Sequence, residues 1–521
     1  MSDYKDINNR ISNLKLAAID AKMADLQFHL KADHSVYCQG DLPDDASSGG
    51  DPYSYRLDVE RPKWDDGAGD YVGGGAISGI FPADSSGTLP DLYKNSDQYV
   101  KLFDQVRKDI DDRVNRWKGL PDPAKISESI KGYMDGVVMK ISTGKSEVSM
   151  QDPDVLAAGQ LANGSSSTYK SSTGDEGMSY YIREIEYNSS ADDLKGDTMR
   201  AFKSRFINKM PVIVDNLCFA SRINLSALYA ELDFIVATRT SVMDAIEQAA
   251  SAFVSIRDAK KGSFKTELDI LSWGLDALSI AGTAASGSSV LIPLSKLAVS
   301  VTKTVTSQND DVSKYEDVLS SFDKALDEIN SQLQKGEKGL WDALGSSMSE
   351  MRKDKDKPLE TAELHLPGYI LTDTKGTDME VSVDSDVVEV LTGNMAHVAN
   401  ILEHAYGNLT SNSYGVHDAL KRKSTIGYTG TFGIANRYTE FQLLLYELMV
   451  DLEWQIEEGA VNLRLASADL YAQDEESQAK LDRLTEEANR GSGVNPWNGG
   501  SIEYAEKDPS KRPLGNPEYQ S

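Results

Sequence analysis

Apolar residues recur at spacings of three and four along most of the chain, the pattern of helices that each bury one stripe. The first run covers residues 3–31, with Ile7, Ile11, Leu14, Ala18, Met23, Leu26 and Leu30 on one face. Periodicity fails over residues 33–92, where Gly and Asp clusters such as DDASSGGDP and DDGAGDYVGGGAISG predict a long irregular region. It returns over 95–117 through Tyr99, Leu102, Phe103, Val106, Ile110, Val114 and Trp117, and Gly119 and Pro121 end it. A helix of about 20 residues follows from Asp122 or Pro123, with Ile126, Ile130, Tyr133, Met134 and Val137 on its apolar side.

Residues 143–178 are rich in Gly and Ser and read as an inserted loop. A very long helical pattern then spans 197–258, marked by Phe202, Phe206, Met210, Val214, Leu217, Leu225, Leu228, Leu232, Ile235, Val242, Ile246 and Phe253, with a kink or break predicted at Pro211. Another covers 311–352 through Tyr315, Val318, Leu319, Phe322, Leu326, Ile329 and Leu333. A boundary is predicted at 352–366, in and after the charge run RKDKDKP, and Tyr369 to Val383 reads as a small β-hairpin around Lys375-Gly376. Helix resumes over 384–410, a polar loop runs to 433, and a terminal helix covers 436–489. The Gly-, Pro- and Asn-rich tail from Arg490 reads as disordered. These elements predict an all-α protein of long antiparallel helical hairpins with one small β-hairpin. Its expected units are an N-terminal helix with an irregular region (1–92), a helical bundle (93–352), a helical hairpin (366–489) and a tail (490–521).

One segment breaks the amphipathic rule. From Ala277 to Ser295 the chain carries no charge, a length close to the ~20 residues that cross a bilayer as a helix. Serines, Gly282, Gly287 and Pro293 dilute it, and Asp269, Asp276, Lys296 and Lys303 flank it. Small residues four apart, Ala281 with Ala285 and Gly282 with Ser286, suit close helix contact in lipid or in a tight bundle. Two readings stand: a buried hairpin with a Gly/Ser turn, or a segment that enters a membrane.

Composition narrows the chemistry. The 521 residues hold 54 Lys and Arg against 82 Asp and Glu, a net charge of −28. That surplus of carboxylate argues against nucleic acid and against a polybasic lipid-docking face. Two Cys and six His cannot supply a disulfide framework, a Cys-based zinc site or a His-rich catalytic centre. Asp373, Asp378, Asp384 and Asp386 do not follow the spacing of a calcium loop. His397 and His404 lack an acidic cluster at ligand spacing, and the glycines near 67–79 lack the Lys-Ser/Thr of a phosphate loop. No nucleophile elbow or zinc-protease motif occurs. The expectation is a non-enzymatic protein without metal or cofactor. Cys38 and Cys218 either pair in an oxidising exterior or stay reduced. The opening MSDYKDINNR lacks a basic n-region and an apolar h-region, so a cleavable signal peptide is not expected. That leaves a cytosolic protein, or one exported by a route that reads a folded signal.

The last predicted helix contains Asn462-Leu-Arg-Leu-Ala-Ser-Ala-Asp-Leu-Tyr471-Ala-Gln-Asp-Glu475, which sets Tyr471 and Glu475 on one helix face. This resembles the Tyr-x-x-x-Asp/Glu export signal of actinobacterial type VII (ESX) secretion substrates. Over 379–485 the order of elements is similar to the EspC-like branch: an acidic start at Val383-Asp384, a helix, a loop with Phe432-Gly433, and a long helix carrying Leu463 to Tyr471. The family also uses a Trp-x-Gly turn between two helices. Trp117-Lys118-Gly119 has those letters; Leu194-Lys195-Gly196 has the more similar surroundings, a polar lead-in and then Ala201-Phe202 and Phe206. The resemblance implies a secreted or envelope-located, virulence-associated substrate, exported folded. Its implied partners are the type VII secretion ATPase and core complex, with Trp-x-Gly partner proteins or self-assembly. The rival expectations are a helical pore-forming or membrane-active protein that uses residues 268–305, and a cytosolic helical scaffold.

Overall fold

The computed structural model describes residues 4–40, 56–80, 97–142, 148–151, 153–157, 168–171, 177–189, 202–258, 264–275, 301–312, 314–355, 364, 366, 384–423 and 425–471. After a 3-10 turn at Tyr4–Asp6, helix α1 (Ile7–Asp25) buries Ile7, Ile11, Leu14, Ala18, Ile19 and Met23. It stops before the predicted residue 31 because Gln27 takes a left-handed backbone, φ 65°, and turns the chain into extended structure.

The region expected to be irregular holds sheet among its described residues. Strands β1 (His29–Leu30), β2 (Val36–Gly40) and β3 (Arg56–Glu60) come first. Then come β4 (Lys63–Asp65), β5 (Asp70–Val72) and β6 (Ile77–Ile80). The order is β1-β2-β3-β6, antiparallel throughout, with β4 and β5 as a separate hairpin. The β2–β3 register sets Tyr37 opposite Val59, and Tyr37, Leu57 and Val59 are buried while the alternate Asp58 pairs with Lys31 at 3.0 Å. This period-two burial is what fastens so short a sheet.

Helix α2 (Gln98–Val114) runs into a 3-10 turn at Asn115–Gly119. Helix α3 (Pro123–Tyr133) starts on Pro123, with the Asp122 carboxylate accepting the Ala124 N–H at 3.2 Å, and continues as a π turn at Met134–Val138. In the expected inserted loop, β7 (Val148–Gln151) pairs with β8 (Thr168–Ser171) around the short helix α4 (Pro153–Ala157). Helix α5 (Met178–Ser189) follows, in a stretch to which the sequence reading assigns no element.

Helix α6 (Met210–Asp258) follows a π turn at Lys203–Ile207. Pro211 lies in its first turn, where the missing N–H has no partner to lose, so it starts the helix and does not kink it. Nearly every position from Asn216 to Thr238 is buried, polar residues included. Such all-round burial marks the central helix of the bundle. Strands β9 (Phe264–Leu275) and β10 (Val301–Val312) then form an antiparallel ladder on either side of the charge-free run. Helices α7 (Tyr315–Lys355), α8 (Ser385–Leu420) and α9 (Ala435–Tyr471) complete the chain, α8 being capped by the Asp384 carboxylate. The fold is mostly α, as expected. One continuous apolar core runs from Ile7 to Leu463, with α1, α3, α7 and α9 against α6, and α8 between α3, α5 and α9. The predicted β-hairpin at 369–383, the helix beyond Tyr471 and the tail lie outside the described residues.

The α8–α9 seam carries a pH-sensitive group. Tyr406 and Tyr446 meet edge to face at 5.3 Å. Glu453 beside them is pushed up to about 8 by burial and by the like charges of Glu457 and Glu403. Because the folded value is raised, the cost of ionising Glu453 is absent below its ordinary 4.5 and builds until pH reaches about 8. Glu453→Gln therefore removes about 1–2 kcal/mol of the stability lost over that window, after discounting for solvent screening. Thermal melts of both chains between pH 4.5 and 8.5 check this; parallel pH profiles would contradict it.

Candidate functional site

The Trp117-Lys118-Gly119 turn lies at the α2–α3 junction and faces inward. Trp117 is fully buried, its carbonyl accepts the Tyr4 hydroxyl, and the Arg116 guanidinium stands 5.3 Å from its ring. The Arg239 guanidinium of α6 donates to the Leu120 carbonyl at 3.2 Å and covers the Tyr4 ring at 4.5 Å. Gly119 is required by close approach: a Cβ there would stand 2.5 Å from Lys423 Cβ, and the Lys423 N–H donates to the Gly119 carbonyl at 3.3 Å. The turn thus meets the loop between α8 and α9, the same loop that contains Phe432-Gly433. Two motifs far apart in sequence are neighbours, and both serve packing in this arrangement.

That loop wraps an ionic cluster that the sequence reading missed. Arg422, Glu231 of α6 and Glu337 of α7 are all completely buried. The Arg422 guanidinium donates to Glu231 at 2.9 Å, to Glu337, and to the Ile426 carbonyl at 2.7 Å. The other Glu337 oxygen accepts the Tyr428 N–H at 2.6 Å, and the Arg422 N–H reaches the Thr431 carbonyl at 2.7 Å. Burial, and then the neighbouring Glu337, push the Glu231 carboxyl well above the usual carboxylate range. Gly427 and Gly433 have φ of 84° and 53°, and a Cβ on either would strike the Arg422 guanidinium. Phe432 packs on His417 at 4.3 Å, and burial lowers that imidazole. One signal was available: Glu231 lies beside Leu228, Leu232 and Ile235 of the apolar stripe, and a buried acid needs a partner. Nothing in the polar run around Arg422 marked it as that partner.

The second place of interest is the β9–β10 hairpin between the two longest helices, α6 and α7. Each strand has 12 residues, roughly 40 Å of extended chain. The register runs from Phe264 opposite Val312 to Leu275 opposite Val301. Charge concentrates toward the root, at Lys265, Glu267, Asp269, Asp310 and Asp311. Toward the tip the paired positions are Leu271 with Val305, Trp273 with Lys303, and Leu275 with Val301. The connection between the strands holds the charge-free run Ala277–Ser295.

Of the other predicted positions, Tyr471 is the last residue of α9, and Glu475, Leu194, Gly196, Gly282, Ala285 and Gly287 lie outside the described residues. No disulfide joins Cys38, in β2, to Cys218, in α6, and both are buried. Among the described residues no cluster of three or more His, Cys, Asp or Glu is placed to hold a metal ion, and no helix is long and apolar enough to cross a membrane. Comparison with protein-family models, curated proteins and solved structures finds no match to this chain.

The cluster yields a stability prediction. Arg422→Met strands two buried acids and costs about 3–5 kcal/mol in urea unfolding. Adding Glu231→Gln and Glu337→Gln recovers part of that loss. A cost below about 1 kcal/mol for the single change would contradict the role assigned to Arg422.

Proposed function

We propose that this chain is a non-enzymatic, membrane-active helical protein whose β9–β10 hairpin and connecting segment enter a bilayer. The observation that carries the reading is the position of the charge-free run Ala277–Ser295: it joins two paired strands between α6 and α7. Each strand exceeds the ~9–11 residues that span a membrane in extended form. The root half carries Lys265, Glu267, Asp269, Asp310 and Asp311, the tip half carries Lys303, and Asp276 and Lys296 bound the run, so the uncharged run itself is the part least costly to dehydrate. The net charge of −28 bears on the target: entry rests on apolar transfer and not on attraction to anionic lipid. A lone two-stranded hairpin leaves its outer backbone groups unpaired in lipid, so insertion in extended form requires hairpins from several copies.

The test is dye release from phosphatidylcholine vesicles at neutral and acidic pH. The native chain releases dye, and Ala285→Asp, which sets a charge inside the uncharged run, slows release at least ~10-fold. No release by the native chain at either pH would end the reading.

Export by a type VII system is a second and compatible proposal. Its support is the Tyr471-x-x-x-Glu475 pattern, with α9 remaining helical to Tyr471 and the α8–α9 hairpin turning at Phe432-Gly433. The type VII ATPase and core complex would be the partners, and the product would be secreted or retained at the envelope. With Trp117 buried, any hairpin-tip recognition would fall to Leu194-Lys195-Gly196 or to a partner protein. Tyr471→Ala is expected to shift the protein from culture filtrate to lysate in an actinobacterial host. Undiminished export would refute this second proposal and leave the first standing.

A further inference from the structure

The buried cluster of Glu231, Glu337 and Arg422 sets two acids against one base. All three side chains are fully buried, so full ionisation would leave one negative charge with neither counter-ion nor water. The same guanidinium nitrogen, Arg422 Nη2, donates to Oε1 of both acids, and the two carboxyl groups lie within hydrogen-bonding reach of each other. Like charges that close repel strongly at this depth, and one proton on the pair makes the cluster neutral.

Hydrogen bonding identifies the acid that carries the proton. Glu337 accepts on both oxygens, Oε1 from Arg422 and Oε2 from the Tyr428 N–H at 2.6 Å, as an ionised carboxylate does. Glu231 accepts from Arg422 on Oε1 at 2.9 Å, while its buried Oε2 meets no donor among the described residues. A bare oxygen there forfeits its hydration; a hydroxyl there donates to Glu337. On the surrounding elements, Arg239 of α6 reaches the Leu120 carbonyl, Lys338 of α7 pairs with Asp342, Arg437 of α9 pairs with Glu440, and His417 of α8 lies against the Phe432 ring. Glu337 and Arg422 are the charged groups that act on Glu231.

The α8–α9 loop is the lid of this site. A Cβ on Gly427 would strike Glu337 Oε2 as well as the guanidinium, and one on Gly433 would stand 3.1 Å from Glu231 Oε1. Tyr428, whose N–H bonds Glu337, has a side chain 41% exposed, so solvent lies just outside. We infer that the cluster is a proton-binding site, with the proton on Glu231 Oε2, and that the loop stays closed over it only while that proton is bound. On ionisation the O–H bond breaks, its electron pair stays on Oε2, and the proton passes to water. The site then goes from neutral to one net negative charge. Long packed helices, α6 and α7, hold both acids, so the loop is the part that yields and admits water. The inference does not depend on the membrane reading.

Infrared spectroscopy and hydrogen–deuterium exchange of the full chain test this, both in a Glu453→Gln background that removes the other carboxyl raised by burial. At neutral pH a protonated-carboxyl C=O band is expected that Glu231→Gln abolishes; no difference between the two chains would overturn the proton site. Glu231→Gln keeps the loop closed, because its amide donates to Glu337 as the hydroxyl does. Glu337→Gln lowers exchange protection over 425–434 about 10-fold at neutral pH, because one amide cannot accept from both Arg422 and the Tyr428 N–H. The reverse order of the two variants would overturn the assignment to Glu231. Between neutral pH and about pH 10, the band fades and protection over 425–434, corrected for the intrinsic rate, falls about 10-fold, with no such fall in Glu231→Gln. Protection that stays as flat as in Glu231→Gln, or a fall while the band persists, would overturn the link between proton and loop.

Discussion

Burying α6 on every side is the constraint on which the rest depends. A helix with no solvated face must neutralise each polar group it carries. Glu231 lies at its middle, with no water to ionise into. The chain meets that demand with Arg422, brought from the α8–α9 loop, and with Glu337 from α7. Holding one guanidinium at that depth requires the left-handed turns at Gly427 and Gly433, which let the loop close over it. The loop then fixes the start of α9 and, through Lys423, the Gly119 turn at the start of α3. At the partly exposed far end of α6, Arg257 instead joins a cluster centred on buried Asp20 of α1, which Arg61 and Tyr37 also hold.

Much of this was legible in the chain. The stripes for α2, α6, α7, α8 and α9 follow helical periodicity because each helix packs chiefly through side chains it supplies itself. The misreadings have a common cause, the influence of partners that periodicity does not encode. The sheet through Tyr37 and Val59 is written in strands so short that Gly- and Asp-rich flanks hide their alternation. The last turns of the predicted first helix are lost to a left-handed Gln27. Residues at the flanks of the charge-free run pair as strands, an element that neither reading of that run specifies. Trp117 and Gly119 were found by their letters, but their environment is a packed junction, a property of Lys423 and Tyr4 as much as of the turn. Arg422 gave no sign of its role because its partners lie on two other helices.

The acidic balance takes on a definite meaning beside the fold. Among the described residues the buried acids are Asp20, Glu231, Glu337, Asp354 and Glu457, and the other described acids are at least partly exposed. Such a surface keeps copies soluble and apart. It also makes the charge-free connection between β9 and β10 the outlier of the sequence. The two proposals, export through a folded helical signal and action at a membrane, would make compatible demands: the bundle would stay folded, and only the segment between α6 and α7 would have to move.

The most direct measurement places an environment-sensitive fluorophore on Ser286→Cys in a chain carrying Cys38→Ser and Cys218→Ser, and reads its emission with and without phosphatidylcholine vesicles. If the charge-free segment enters the bilayer, emission shifts to the blue and is quenched by labels on the lipid tails. Emission that stays water-like, with quenching only by soluble agents, would contradict the account.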